Sequence, residues 1–284
     1  MEIRINGKAL DVKLDNENTI GEILSNIESW LTESGHRISE INIDGKLIAS
    51  SMIEEIFRKE IKDIKNIDIN TNALAELTAA SLMNLLEDIK EYENLGFEKK
   101  TSYFDEWDKS AAAAFIKTEI PDLYAFCVSM FSRGDMAVNT LVSITEEIQR
   151  EVNDPVKELS NLEQIVNEIC EKLISLPLDI QTGKDIQAAK TIQVFSAVTE
   201  KLFRLYRQLE IQRFISKKSG NEKPISGIIS EFNKILKELL AAYEKNDYVL
   251  VGDLTEYEAS PKLKELYQAI IEDCQKTGAQ QSDL

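Results

Sequence analysis

The chain is poor in the residues that build metal centres, disulfide frameworks and irregular loops. It contains one histidine, three cysteines, five prolines and eleven glycines among its 284 residues. A single imidazole argues against most zinc and di-iron sites, which use several histidines. Few prolines and glycines favour long helices over a loop-rich β-sandwich. We therefore expect a mainly helical protein without a metal ion or another cofactor.

The cysteines and the hydrophobic runs bear on location. Cys127, Cys170 and Cys274 are odd in number and far apart, which is not the spacing of a disulfide framework or a metal knuckle. The amino terminus MEIRINGKALDV shows no basic stretch followed by an apolar run, and no uncharged apolar run reaches about 18 residues. These features predict buried, inert thiols in a cytoplasmic protein that does not span a membrane.

Basic residues are outnumbered, 33 against 50 acidic ones, so the formal net charge is -17. A surface this negative repels phosphate backbones, so we expect neither nucleic acid nor an anionic membrane as the main partner. The acidity either keeps the protein in solution or attracts a basic partner.

Motifs of known catalytic chemistry are also missing. The sequence has no HExxH, CxxC or GxSxG, and Gly183-Lys184-Asp185 lacks the upstream glycine and following Ser or Thr of a phosphate loop. His36 follows a predicted helix end, where the helix dipole favours it without a further role. The carboxylates at 105–108 and 253–258 have the spacing of solvated helix faces or of acidic residues gathered at a helix N-terminus. We therefore expect no catalytic residue and no enzyme.

Residues 1–72 show the pattern of a small α/β domain. Ile3 and Ile5 alternate with polar residues, and Asn6-Gly7 predicts a hairpin whose return strand carries Leu10, Val12 and Leu14. Thr19 and Glu22 form the pattern of a capping box before a helix. A strand, the turn Asp44-Gly45, a second short strand, a short helix and a last strand with Ile64, Ile67 and Ile69 follow.

This order of elements is that of a β-grasp. The segments MEIRINGKALDVKLDNENTIGEILSNIES and INIDGKLI resemble ubiquitin-like domains over about a quarter of the chain. The resemblance implies a β-grasp fold, and a docking or assembly role for it by analogy of fold.

Residues 73–284 show helical periodicity throughout. Pro121 is expected to kink or stop a helix, while Asp154-Pro155 and Ser260-Pro261 have the pattern of helix starts. Six or seven helices joined by short loops predict an antiparallel bundle, and their wide apolar stripes favour a multi-helix core. The fold class is therefore α+β, with a small β-grasp-like domain before a large all-α bundle.

A weak internal repeat runs through this bundle. Gly183-Lys184-Asp185 and Lys245-Asn246-Asp247 each join a helix to an apolar helix through a polar turn with an aspartate cap. Duplicated αα-hairpins at about 159–216 and 224–274 would explain the pattern, and so would the general likeness of helical hairpins. This succession of helices and turns resembles that of flagellin-type export chaperones, which are small helical bundles that hold the helices of a partner.

Two groups of side chains are candidates for partner binding. Tyr103, Phe104 and Trp107 would be an interaction hot spot if exposed, or a corner of the core if buried. The main basic stretch could dock an acidic partner or the acidic face of another copy, or it could be a solvated helix face. Its residues are Lys201, Arg204, Arg207, Arg213, Lys217 and Lys218.

Three functions remain open from the sequence. The first is a non-enzymatic adaptor, scaffold or chaperone that binds one or more proteins. The second is a structural protein that self-assembles through its helices, and the third is an enzyme whose carboxylates or lysines act in a pocket between helices. A deep pocket holding titratable groups with strongly shifted pKa values would support the third.

Overall fold

The computed structural model describes residues 1–10, 17–49, 52–133, 138–215 and 225–282. It has the predicted α+β class, because a mixed five-stranded sheet precedes a large helical region. Contacts divide the chain into two compact units, Met1–Glu146 and Glu147–Leu284. The predicted boundary after residue 72 falls within the first unit, where the last strand passes into a long helix.

The first unit begins with a sheet and a helix packed on it. Its elements are β1 Glu2–Ile5, β2 Lys8–Ala9, α1 Ile20–Glu33, β3 His36–Ile43, β4 Lys46–Leu47, α2 Ile53–Phe57 and β5 Asn66–Ala73. The strand order is β2-β1-β5-β3-β4, with β5 parallel to β1 and antiparallel to β3. Ile20, Leu24 and Ile27 of α1 are buried with Ile67 and Ile69 of the sheet.

Local sequence chemistry explains the turns and the start of α1. The central residues of the β1–β2 turn, Asn6 and Gly7, both have positive φ angles, 49° and 77°, as a two-residue hairpin of the primed type requires. The Thr19 hydroxyl accepts the Glu22 amide at 3.3 Å, and the Glu22 carboxylate accepts the Thr19 amide at 3.1 Å. The predicted hairpin and capping box are thus present, while Val12 and Leu14 lie outside the described residues.

Helices complete the first unit, and the last of them crosses into the second. They are α3 Leu74–Asn94, α4 Phe97–Trp107, α5 Ala111–Glu119, α6 Pro121–Arg133 and α7 Val138–Asn153. Pro121 separates α5 from α6, as predicted. The Ser110 hydroxyl accepts the Ala113 amide at 3.0 Å, which begins α5.

The second unit is a bundle of antiparallel hairpins. Its further elements are α8 Pro155–Asn161, α9 Glu163–Gln181, α10 Asp185–Ile211, α11 Ile225–Glu244, α12 Tyr248–Asp253, a π-helical segment Leu254–Ala259 and α13 Ser260–Ser282. The Asp154 carboxylate accepts the Lys157 amide at 3.0 Å, so the predicted cap before Pro155 is present. One hydrophobic core joins α8, α9, α10, α11 and α13 through residues such as Leu173, Leu205 and Phe232.

Three details differ from the sequence prediction. The described residues after 73 form eleven α-helices, because Gly96, Ser110 and short polar breaks divide runs that periodicity alone joins. Ser260-Pro261 begins no separate helix: Tyr248–Ser282 is continuous, and the Ser260 hydroxyl donates to the Cys170 carbonyl at 3.1 Å. Asp185 is not a cap, since Lys184 occupies that position without a side-chain bond.

Candidate functional site

The predicted aromatic candidates lie in the interior of the first unit. Tyr103 and Trp107 are buried on α4, with ring centroids 5.3 and 5.0 Å from that of Phe131, and Phe104 is half-buried. The Trp107 indole donates to the Asp88 carboxylate at 3.1 Å. Tyr103 and Trp107 are therefore a corner of the core, which was one of the two alternatives left open by the sequence.

The titratable groups of this corner are shifted by burial. Desolvation raises the pKa of the Asp88 carboxyl, although the bond from Trp107 lowers it. Desolvation also raises the pKa of Tyr103, and it raises that of the Cys127 thiol to about 12. At neutral pH the thiol of Cys127 is thus protonated and a poor nucleophile.

The basic candidates on α10 divide into inward and outward groups. The Arg204 guanidinium donates to both oxygens of Glu151 at 2.8 and 2.9 Å and to Glu147 at 3.1 Å. Lys201 pairs with Glu158 at 3.0 Å and with Glu147 at 3.5 Å. These two cations therefore bind carboxylates of α7 and α8 rather than presenting a free basic face.

The other basic candidates lie in the last turns of α10 or after its end. Arg207 and Arg213 are exposed, and Arg213 follows the end of α10 with a φ of 61°. Lys217 and Lys218 lie outside the described residues. Among the described candidates, Lys201 and Arg204 are brought together at the shared carboxylate of Glu147.

The two polar turns of the predicted internal repeat share one backbone geometry. At the α9–α10 turn, the Lys184 amide donates to the Asp179 carbonyl at 2.9 Å across Gly183, whose φ is 71°. At the α11–α12 turn, the Asp247 amide donates to the Ala242 carbonyl at 3.0 Å across Asn246, whose φ is 55°. Both are Schellman-type helix ends, so Lys184 rather than Asp185 corresponds to Asp247.

The two turns lie at the same end of the second unit. Helix α12 packs against both α9 and α11. Gly252 of α12 faces Pro177 of α9 so closely that a β-carbon added to it would lie 3.0 Å from the proline Cβ. The last turns of α9 and the whole of α12 are therefore neighbours.

Large apolar side chains are exposed around these turns. Of the fourteen exposed large hydrophobic residues in the described part of the chain, eight lie here, and Ile186 and Val249 are 89% and 74% exposed. We call the eight the turn surface: Ile174, Leu178, Ile186, Leu240, Tyr243, Tyr248, Val249 and Leu250. Single exposed residues of this kind are ordinary, whereas large contiguous apolar patches occur at sites of contact with proteins, membranes or ligands.

Each hairpin contributes to the turn surface in the same way. Ile174 and Leu178 are one helical turn apart near the end of α9, and Leu240 and Tyr243 are one turn apart near the end of α11. The first turn of the following helix supplies the rest. The sequence signal was the run Tyr248–Val251, because a helix that buries one side of such a run exposes the other.

Other kinds of site have less support in the described part of the chain. No group of three or more His, Cys, Asp and Glu side chains there could hold a metal ion. None of the helices described is long and apolar enough to cross a membrane.

Comparison with known proteins places two similarities on separate parts of the chain. Residues 1–73 match the family described as the TP0873 N-terminal domain, and residues 157–269 match a domain of unknown function, DUF8042. The second match contains the whole turn surface. No solved structure matches the chain significantly.

A similar curated protein is an uncharacterized protein of Treponema pallidum (strain Nichols). It is 20% identical over 271 residues, which are 95% of this chain and 96% of the relative. The similarity thus extends over both units.

Proposed function

We propose that the protein is a non-enzymatic protein-binding protein whose second unit contacts its partner through the turn surface. The observation that carries the proposal is the concentration of exposed large apolar side chains at one end of the bundle, where eight of the ten such residues described in the second unit lie. An adaptor, scaffold or chaperone of the cytoplasm would present such a surface.

The free energy available at this surface is large enough for specific binding. Burying an aliphatic or aromatic side chain contributes about 1.5–3 kcal/mol, and Ile186 and Val249 are almost fully available for it. Association itself costs about 4–15 kcal/mol, so a partner must bury several of the eight side chains at once.

The first unit contributes a second module to the proposal. We propose that residues 1–72 form a β-grasp domain used for docking or assembly. The order of elements along the chain and the parallel pairing of β1 with β5 support this assignment.

The shifted carboxyl groups favour binding over catalysis. Desolvation raises the pKa of Glu151 and of Asp88, which is the kind of shift an active site needs. However, Arg204 holds Glu151 with two hydrogen bonds, and the Trp107 indole binds Asp88. Their positions are explained by the packing of the protein itself.

The test is affinity capture from the native cytosol with the full chain, read out by mass spectrometry. The variant Ile186→Asp with Val249→Asp should lose partners that the wild-type chain retains in stoichiometric amounts. Both positions lie in the first turn of a helix, where aspartate interacts favourably with the helix dipole, so the fold should be unaffected.

Ile165→Asp is the matched control, because Ile165 is also exposed in the first turn of a helix but lies at the opposite end of α9. It should retain the same partners as the wild type. Equal capture by the double variant would contradict the role of the turn surface. A concentration-dependent oligomer in light scattering that the double variant abolishes would instead point to self-assembly.

A further inference from the structure

We infer that the turn surface binds an amphipathic helix of another protein, with lysines or arginines flanking its apolar stripe. This inference rests on the proposed function and adds the chemistry of the partner. It follows from the charges that surround the exposed apolar side chains.

The rim of the turn surface is strongly acidic. Six carboxylates lie between residues 237 and 258, against the two cations Lys237 and Lys245. Among them Glu244, Asp247, Asp253 and Glu258 are exposed.

The other turn does not offset this charge. Lys184 is paired with Asp179 at 3.0 Å, and Asp185 beside it is exposed. Lys172 and Lys190 offset Glu171 and Asp185 on this hairpin, so the excess of negative charge lies on the α11–α12 side of the surface.

These charges decide between the classes of partner. A second copy placed face to face would bring like charges together, which costs several kcal/mol at an interface. A helix with cations beside its apolar stripe would place those cations against the carboxylates while burying the apolar groups. Complementary charge thus favours a basic partner over self-association.

The spacing of the apolar groups fits a helix. The surface offers pairs of side chains one helical turn apart on α9 and on α11, and α12 packs against both of these helices. An amphipathic helix presents its own side chains at the same interval, so ridges of the two partners can interdigitate.

The experiment uses two synthetic amphipathic helices of about 18 residues that share one leucine stripe. The first has lysines on its polar face and the second has glutamates. Fluorescence anisotropy measures the binding of each labelled peptide to the full chain and to its variants. The wild-type chain should bind the lysine peptide at least roughly tenfold more tightly than the glutamate peptide.

Two triple variants of equal net charge separate the effect of the rim carboxylates on peptide binding from the effect of the net charge of the chain. The rim variant carries Glu244→Gln, Asp253→Asn and Glu258→Gln. The control variant carries Glu163→Gln, Glu168→Gln and Glu272→Gln, and its α9 positions lie about 20 Å or more along the helix from the turn. The rim variant should bind the lysine peptide roughly five- to tenfold more weakly, and the control variant less than about twofold more weakly.

The outcomes distinguish this inference from the proposed function. Equal weakening in both triple variants, or equal binding of the two peptides, would overturn the preference for a basic helix. In that case Val249→Asp would still weaken binding if the turn surface is the contact. If Val249→Asp leaves the affinity unchanged, or if neither peptide binds, the inference fails, and the capture experiment decides the proposed function separately.

Discussion

The contacts of Arg204 differ from the basic surface that its sequence position suggested. It belongs to a row of cations along α10, yet its guanidinium binds Glu151, whose side chain is only 1% exposed. A buried carboxylate needs its partner because removing one member of such a pair leaves an uncompensated charge. Arg204 therefore stabilises the second unit, whereas Arg207 and Arg213 remain on its surface.

Arg204→Met should lower the free energy of unfolding by about 2–3 kcal/mol, measured by urea denaturation at neutral pH. The native pKa of Glu151 is already raised by desolvation, and losing Arg204 raises it further. A group whose pKa is higher in the folded than in the unfolded state contributes fully to stability below the unfolded pKa, and this contribution is lost as the pH rises through the folded pKa. The deficit of the variant should therefore shrink as the pH falls to about 4.

The double variant Arg204→Met with Glu151→Leu is the control for this prediction. It removes both charges, so most of the lost stability should return. A double variant no more stable than Arg204→Met alone would show that packing of the arginine, rather than the buried carboxylate, accounts for the loss.

Asp88 offers a second measurement at the residue scale. Its pKa is raised, first by desolvation and further by Glu91 and Glu87, so its ionisation opposes folding as pH rises. Asp88→Asn keeps an oxygen for the Trp107 indole but removes the charge. Its free energy of unfolding should fall less than that of the wild type between about pH 4 and pH 7 in urea titrations. A steeper fall in the variant would contradict this account.

At the scale of elements, glycine has two different roles at the turns. Gly183 has a φ of 71° with open space around it, so its requirement is conformational. Gly252 is required by contact, because a β-carbon would meet the rigid ring of Pro177 at 3.0–3.1 Å.

Gly183→Ala should lower the free energy of unfolding by about 1 kcal/mol without weakening binding at the turn surface. Gly252→Ala should cost about 1–3 kcal/mol and should also weaken peptide binding, because it separates α12 from α9. Urea denaturation and anisotropy on the same samples measure both effects. Equal losses of peptide binding in the two variants would show that the close contact between α12 and α9 is not what the binding of the peptide requires.

Local signals predicted several elements correctly. Asn6-Gly7, the Thr19–Glu22 capping box and Asp154-Pro155 act within a few residues, so their geometry is encoded beside them. Ser260-Pro261 has an equally good local pattern but begins no helix. Its serine hydroxyl instead donates to the Cys170 carbonyl on α9, and a local sequence pattern carries no information about such a long-range contact.

At the scale of the whole chain, the α+β class followed from periodicity and composition. The candidate site did not, because the turn surface is assembled from two hairpins far apart in sequence. Periodicity identified which residues could lie on the apolar face of a helix. Only the packing of the helices shows which of these residues no other helix covers. The ion pairs of Lys201 and Arg204 could not be predicted for the same reason, since the carboxylates that bind them lie on other helices, α8 and α7.

The π-helical segment Leu254–Ala259 has a consequence for comparisons between relatives. It lies between α12 and α13 in one continuous helix, and each residue of an α-helix turns the chain by about 100°. A relative with one residue fewer in this segment would form an ordinary α-helix there and would rotate α12 by that angle. Tyr248 and Val249 would then point elsewhere while the core around α13 stayed the same. A deletion of a single residue there would therefore change both the exposed side of α12 and its contact with Pro177.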